Sequence, residues 1–215
     1  LLDANGNVKL QIPETTFPRL SLSPSVASDG DKFIVGFEGL GAGTLPTYAV
    51  TGSTFAYLLL NGDGTVSKAA TPLSNFPAPF QTANYQQQFT ADSVLWIGDR
   101  YRLIWQNATS QTLMSRDINA AGTACGTSNV TLQSNAAPVL SPFGLAYDPA
   151  SGRHVLTYQT PQGIVAALYQ GASTTASATR TLYTGRSPSL AWEPQSRNFV
   201  FSGWDSSKSQ TIIGK

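Results

Sequence analysis

The chain has 215 residues, 41% of them hydrophobic and 10% aromatic, which is enough apolar material to fill a core and excludes wholesale disorder. Only 12% are charged, and the 13 basic residues balance 12 acidic ones without any basic run, so nucleic acid is not an expected partner. No apolar run reaches bilayer length and no basic-then-apolar leader opens the chain; membrane insertion is not expected, and any leader is expected to have been removed.

In chain order, residues 1–8 match residues 59–66 position for position, a turn leading into a strand. Residues 24–37 are the first of four repeat copies: a short apolar strand, a turn of Asp and Gly, and a second apolar strand, the pattern of a hairpin. A third strand follows at 55–60, then a Gly turn at 61–64 and a Thr-rich fourth strand. Residues 92–105 repeat the hairpin without a gap, with a third strand at 112–118 and a turn at 119–122. Residues 142–158 and 188–201 are copies three and four, with third strands at 164–169 and 211–214.

Copy four ends where a turn and an outer strand are due, and the N-terminal segment has the sequence of that missing piece. Together with the 19 Gly and 13 Pro, which punctuate the chain too often for long helices, this predicts an all-β fold. Its expected form is a single domain, a four-bladed β-propeller whose last blade is closed by the N-terminal strand. Blade one spans about 21–75 with inserted loops 39–53 and 76–90, blade two about 91–135, blade three about 139–184, and blade four about 186–215 plus 1–12. A segment of a longer repeat array is the competing arrangement.

Chemistry-bearing residues are few. One cysteine, Cys125, and one histidine, His154, provide neither a four-ligand zinc site nor an evident triad, so no metal, cofactor or catalytic residue is expected. Residues 3–7 and 61–64 superficially resemble calcium loops but lack the full ligand set and read as hairpin turns. Trp96, Tyr147 and Trp192 occupy one repeat position, the end of the first strand, where packing between blades is the first explanation and ligand contact the second. Trp204 stands beside Asp205 at a turn, and an exposed aromatic beside a hydrogen-bonding group suits the apolar face of a sugar ring. These five are the candidate ligand-binding residues. Asn107 and Asn129 head N-glycosylation acceptor patterns, which favour a secreted or cell-surface location.

Paired acids would be needed for glycoside hydrolysis, and the candidates are Asp29, Asp31, Glu38, Asp92, Asp99, Asp148, Glu193 and Asp205. Asp29, Asp148 and Glu193 recur at one turn position, where a short acid bonds its own backbone, so turn chemistry is their first explanation.

The repeated Pro-x-x-Ala-Trp/Tyr, a turn, then Phe/His-Val-x-x-Trp/Tyr resembles the repeats of secreted or surface-attached bacterial β-propeller proteins over nearly the whole chain. The length is similar to the four-bladed hemopexin-like class, although the disulfide between first and last blades common there is impossible with Cys125 alone. The resemblance implies a fold and not an activity. The expectation is therefore a non-catalytic extracellular interaction module binding glycan or protein surfaces. Two alternatives stand beside it: a structural building block that self-assembles through its terminal strands, and a hydrolase acting on polysaccharide.

Overall fold

The computed structural model describes residues 21–40, 52–77, 92–107, 112–134 and 143–215. The described residues are all-β, with no helix and therefore none long and apolar enough to cross a membrane. They form four antiparallel sheets, each assembled from consecutive strands.

The first sheet contains β1 (Ser21–Ser28), β2 (Lys32–Leu40), β3 (Gly52–Asn61) and β4 (Val66–Pro77). The second contains β5 (Asp92–Trp96), β6 (Arg100–Asn107), β7 (Thr112–Asn119) and β8 (Val130–Gln133). The third contains β9 (Gly144–Asp148), β10 (Arg153–Thr160), β11 (Gly163–Gln170) and β12 (Ala178–Tyr183). In the fourth, β13 (Gly185–Glu193), β14 (Asn198–Asp205) and β15 (Gln210–Gly214) make three strands among the described residues. The fourth strand expected from residues 1–12, and most of the inserted loops 39–53 and 76–90, lie outside the described residues.

Strand β3 shows why the central strands carry unbroken apolar runs. Successive side chains point to opposite faces. Phe55, Tyr57 and Leu59 pack with Val94, Leu103 and Trp105 of the second sheet, while Ala56, Leu58 and Leu60 join Val35 and Phe37 in a separate cluster on the other face. Both faces are buried, so polar alternation is absent. Phe55 stacks on Trp105 with centroids 4.9 Å apart. A second interface cluster joins Ile104 and Leu113 of the second sheet to Leu156, Tyr158 and Tyr169 of the third.

The first strand of each sheet packs on the first strand of the next: β1 on β5, β5 on β9, and β9 on β13. No comparable packing joins β13 back to β1 among the described residues.

Candidate functional site

The sheets share one orientation, which sorts every candidate residue to one of two ends. The turns β1–β2, β5–β6, β9–β10 and β13–β14 lie together: Tyr101 Oη donates to the Lys32 carbonyl at 3.3 Å, Gly98 abuts the Tyr147 hydroxyl, and Arg197 lies close enough to Asp148 to act on its charge. We call this the turn end. The opposite, head end is where β1, β5, β9 and β13 begin.

At the turn end Asp29, Asp148 and Glu193 each serve their own turn. Asp29 Oδ1 accepts from the N–H groups of Asp31 and Lys32 at 2.9 and 2.7 Å. Glu193 accepts from Gln195 and Ser196 at 2.8 and 2.6 Å. Asp148, fully buried, accepts from the Ala150 N–H and the Ser151 hydroxyl. Burial pulls Asp29 and Asp148 upward, but the hydrogen bonds outweigh it and hold both below the usual carboxylate range; in Glu193 the Ser196 bonds lead, with the Gln195 N–H, in the same direction. Asp99 is held low chiefly by its bond to Arg100. A carboxylate saturated by donors is kept ionised and is poorly placed to pass a proton.

The five expected ligand residues do not converge. Trp96 packs on Tyr101 at 4.7 Å, Trp192 on Phe199 at 4.8 Å, and Tyr147 on Gly98, all three half-buried at the turn end. Trp204, 37% exposed, lies at the head end, paired with Arg186. Its neighbour Asp205 is 3% exposed and accepts from the Ser207 N–H at 2.9 Å and the Ser207 hydroxyl at 2.6 Å, which hold it below the usual range. Asn129 Nδ2, the atom a glycan would modify, donates to the Leu73 carbonyl at 2.9 Å. The Asn107 side chain lies outside the described residues.

The most elaborate polar cluster is one that the sequence reading did not single out. Arg102, with no exposed surface, donates from Nε and Nη2 to the two oxygens of Asp117, both at 2.8 Å. Its guanidinium also reaches the carbonyls of Ala172 and Ser173 and Nε2 of His154 in the third sheet. The available signal was a cation inside the apolar run Tyr101-Arg102-Leu103-Ile104-Trp105. The cluster is fully paired on the arginine side, so it ties two sheets together. Among the described residues no group of His, Cys, Asp and Glu is arranged to hold a metal ion.

No protein-family model matches the chain, and no curated protein does. Solved structures do. A sucrose-6-phosphate hydrolase from Lactobacillus gasseri is 9% identical, with a TM-score of 0.45 over 84% of this chain and 40% of that one. A glycosyl hydrolase from Bacteroides ovatus is 10% identical, with a TM-score of 0.43 over 88% and 61%. A GH43_1 enzyme from Xanthomonas citri, solved with xylose, is 10% identical, with a TM-score of 0.26 over 90% and 85%. The chain thus spans less than two thirds of the first two proteins. The solved structures to which it is similar are mostly glycoside hydrolases, against the expectation of a non-catalytic interaction module without enzymatic activity, and that expectation is not carried further. Nothing among the described residues supports self-assembly.

Proposed function

We propose that the chain is the β-propeller of a hydrolase acting on polysaccharide, with Glu38 and Asp92 as its acid–base pair. The observation that carries this reading is the backbone placement of those two residues at one end of neighbouring sheets. Asp29, Asp63, Asp148, Glu193 and Asp205 are occupied by turn hydrogen bonds, and Asp99 and Asp117 by arginines. Asp31 sits exposed in a turn at the wrong end for a shared site. The side chains of Glu38 and Asp92, the other two of the eight candidate acids, lie outside the described residues, and the pair is proposed from backbone position alone.

Their backbone positions bring them to one end of neighbouring sheets. The Val94 N–H donates to Ser25 Oγ at 2.9 Å, which levels β5 against β1. Asp92 begins β5, two residues toward the head end from Val94, and Glu38 of β2 is paired with Leu22, three residues toward the head end from Ser25. Strand β5 packs on both β1 and β2. Long connections above such strand ends are where binding loops belong. Trp204 at the same end of the fourth sheet offers a sugar ring an apolar face.

In this reaction water is added across a glycosidic C–O bond. One carboxyl group gives its proton to the leaving oxygen, and the other, as carboxylate, activates water or attacks the sugar carbon. Ring closure through β13 and β1, with residues 1–12 adding a strand beside β15, is part of the proposal, as is a secreted location, where polysaccharide is met.

The test is release of reducing sugar from a panel of plant and bacterial polysaccharides. Glu38→Gln and Asp92→Asn are expected to lower turnover by about 10²- to 10⁴-fold, whereas Asp29→Asn leaves it intact. No turnover on any substrate, or turnover unaffected in both head-end variants, overturns the reading.

A further inference from the structure

A cavity of about 230 Å³ opens on the flank of the second sheet, lined by Arg100, Ser115, Arg116, Cys125, Ser128 and Thr174 among others. Its origin lies in an interrupted ladder. After β7 the chain turns at Gly122 and pairs once more, Ala124 with Ile118 and the Cys125 N–H with the Asp117 carbonyl at 2.8 Å. Gly126, at φ +77°, then carries the chain away from β7, and pairing resumes only where Val130 meets Ser115. The space beside Arg116 and Asp117 is left without a strand. Its far side is the β11–β12 turn of the third sheet, held by Arg102 through the carbonyls of Ala172 and Ser173.

The charges lining this space do not cancel. Asp117 is taken by Arg102 and Arg100 is paired with Asp99, but no carboxylate lies within ion-pair distance of Arg116 among the described residues. Arg116 uses Nη2 to donate to the Gly126 carbonyl at 2.7 Å, and its Nε–H is buried without an acceptor. A guanidinium that lines a cavity with no carboxylate within ion-pair distance favours an anion there, and its planar fork fits a carboxylate best. The volume is under the ~300 Å³ at which pockets begin to hold drug-sized ligands, so a single ring fits and an oligomer does not. Hydroxyls of Ser115, Ser128 and Thr174 line the same space and match a polyhydroxylated molecule.

We infer that this cavity binds the carboxylate of a single acidic sugar, a hexuronate, through Arg116. The inference does not rest on the hydrolase reading, because the cavity lies on the flank toward the turn end and the acid pair at the head end.

Cys125, the single cysteine of the chain, lines the cavity and reports its occupancy. Alkylation of Cys125 by iodoacetamide is followed by mass spectrometry with glucuronate, glucose or sulfate present, and calorimetry gives the affinity for glucuronate. Glucuronate is expected to slow alkylation saturably, and glucose and sulfate at equal concentration are not. Arg116→Gln is expected to weaken glucuronate by about 10- to 100-fold, the value of a charge-assisted hydrogen bond. Arg116→Lys, which keeps the charge without the fork, falls between the two and covers the case in which the glutamine variant does not fold. Equal protection by sulfate, protection by glucose, no protection by glucuronate, or wild-type affinity in Arg116→Lys would each overturn the inference.

Discussion

Arg102 Nη1 donates to His154 Nε2 at 2.9 Å across the interface between the second and third sheets. A guanidinium cannot accept, so Nε2 carries no proton and the neutral ring holds its proton on Nδ1, which is buried without a partner. The ring stacks on Tyr169, a member of the apolar cluster between the same two sheets, at 5.3 Å.

Burial of this ring makes stability depend on pH. Burial first, and the Arg102 charge second, push the His154 pKa down from 6.5 to about 3. Between those values the unfolded chain binds a proton that the folded chain refuses, so stability falls as pH drops, by up to about 1.4 kcal/mol per unit. The turn acids also lose their contribution on acidification, but only as pH falls through their lowered pKa values, below the range in which His154 begins to act. Urea midpoints measured from pH 6.5 to 5 are expected to decline in the wild type and to stay nearly level in His154→Gln. An equal slope in both proteins would reject the account.

Removing the other partner has a larger effect. Arg102→Met leaves the Asp117 carboxylate and two turn carbonyls without their donor, with an expected loss of about 3–5 kcal/mol in urea unfolding. Arg102→Met with Asp117→Leu should recover a large part of that loss, since the uncompensated charge goes with the second substitution. A double variant no more stable than Arg102→Met would show that the carbonyl bonds dominate.

Two tyrosines should respond to loss of the hydroxyl in opposite ways. Tyr57 Oη donates to the Gly122 carbonyl at 2.9 Å in a buried contact, and Tyr57→Phe is expected to lower stability by about 1–3 kcal/mol. Tyr183 Oη is buried with no partner, so Tyr183→Phe should be neutral or raise stability by about 1 kcal/mol. Denaturant titration of the two variants side by side checks the sign.

Gly98 combines a φ of +99° with the Tyr147 hydroxyl lying against its Cα. Gly98→Ala is expected to cost about 1–3 kcal/mol through the backbone conformation alone, with the clash added. In the Gly98→Ala background, Tyr147→Phe should therefore restore only part of the thermal midpoint. Full restoration would mean that the hydroxyl, and not φ, sets the cost.

The strands and turns were legible in the chain because they are set locally. Apolar runs marked β3, β6 and β10, and Asp29, Asp148 and Glu193 marked turns because a carboxylate one or two bonds from its own backbone finds donors wherever the sheets are placed. Trp96 and Trp192 share a repeat position, yet their ring partners, Tyr101 and Phe199, belong to their own sheets, which the repeat alone did not indicate. Trp204 and Asp205 were grouped with them by residue type, yet β14 runs against β13 and carries those two to the opposite end.

What the amino-acid sequence determined by itself is the all-β character, the repeating strand pattern and the turn chemistry, since each depends on residues a few positions apart. Only the tertiary structure decided which charges meet. Arg102 and His154 stand 52 positions apart, Arg102 and Ala172 70 apart, and no periodicity relates them. The same holds for the cavity beside Arg116, which arises because one strand leaves its ladder at Gly126 and rejoins it at Val130. Pairings of this kind depend on how sheets stack, a long-range property set by the whole core and not by any short run of residues.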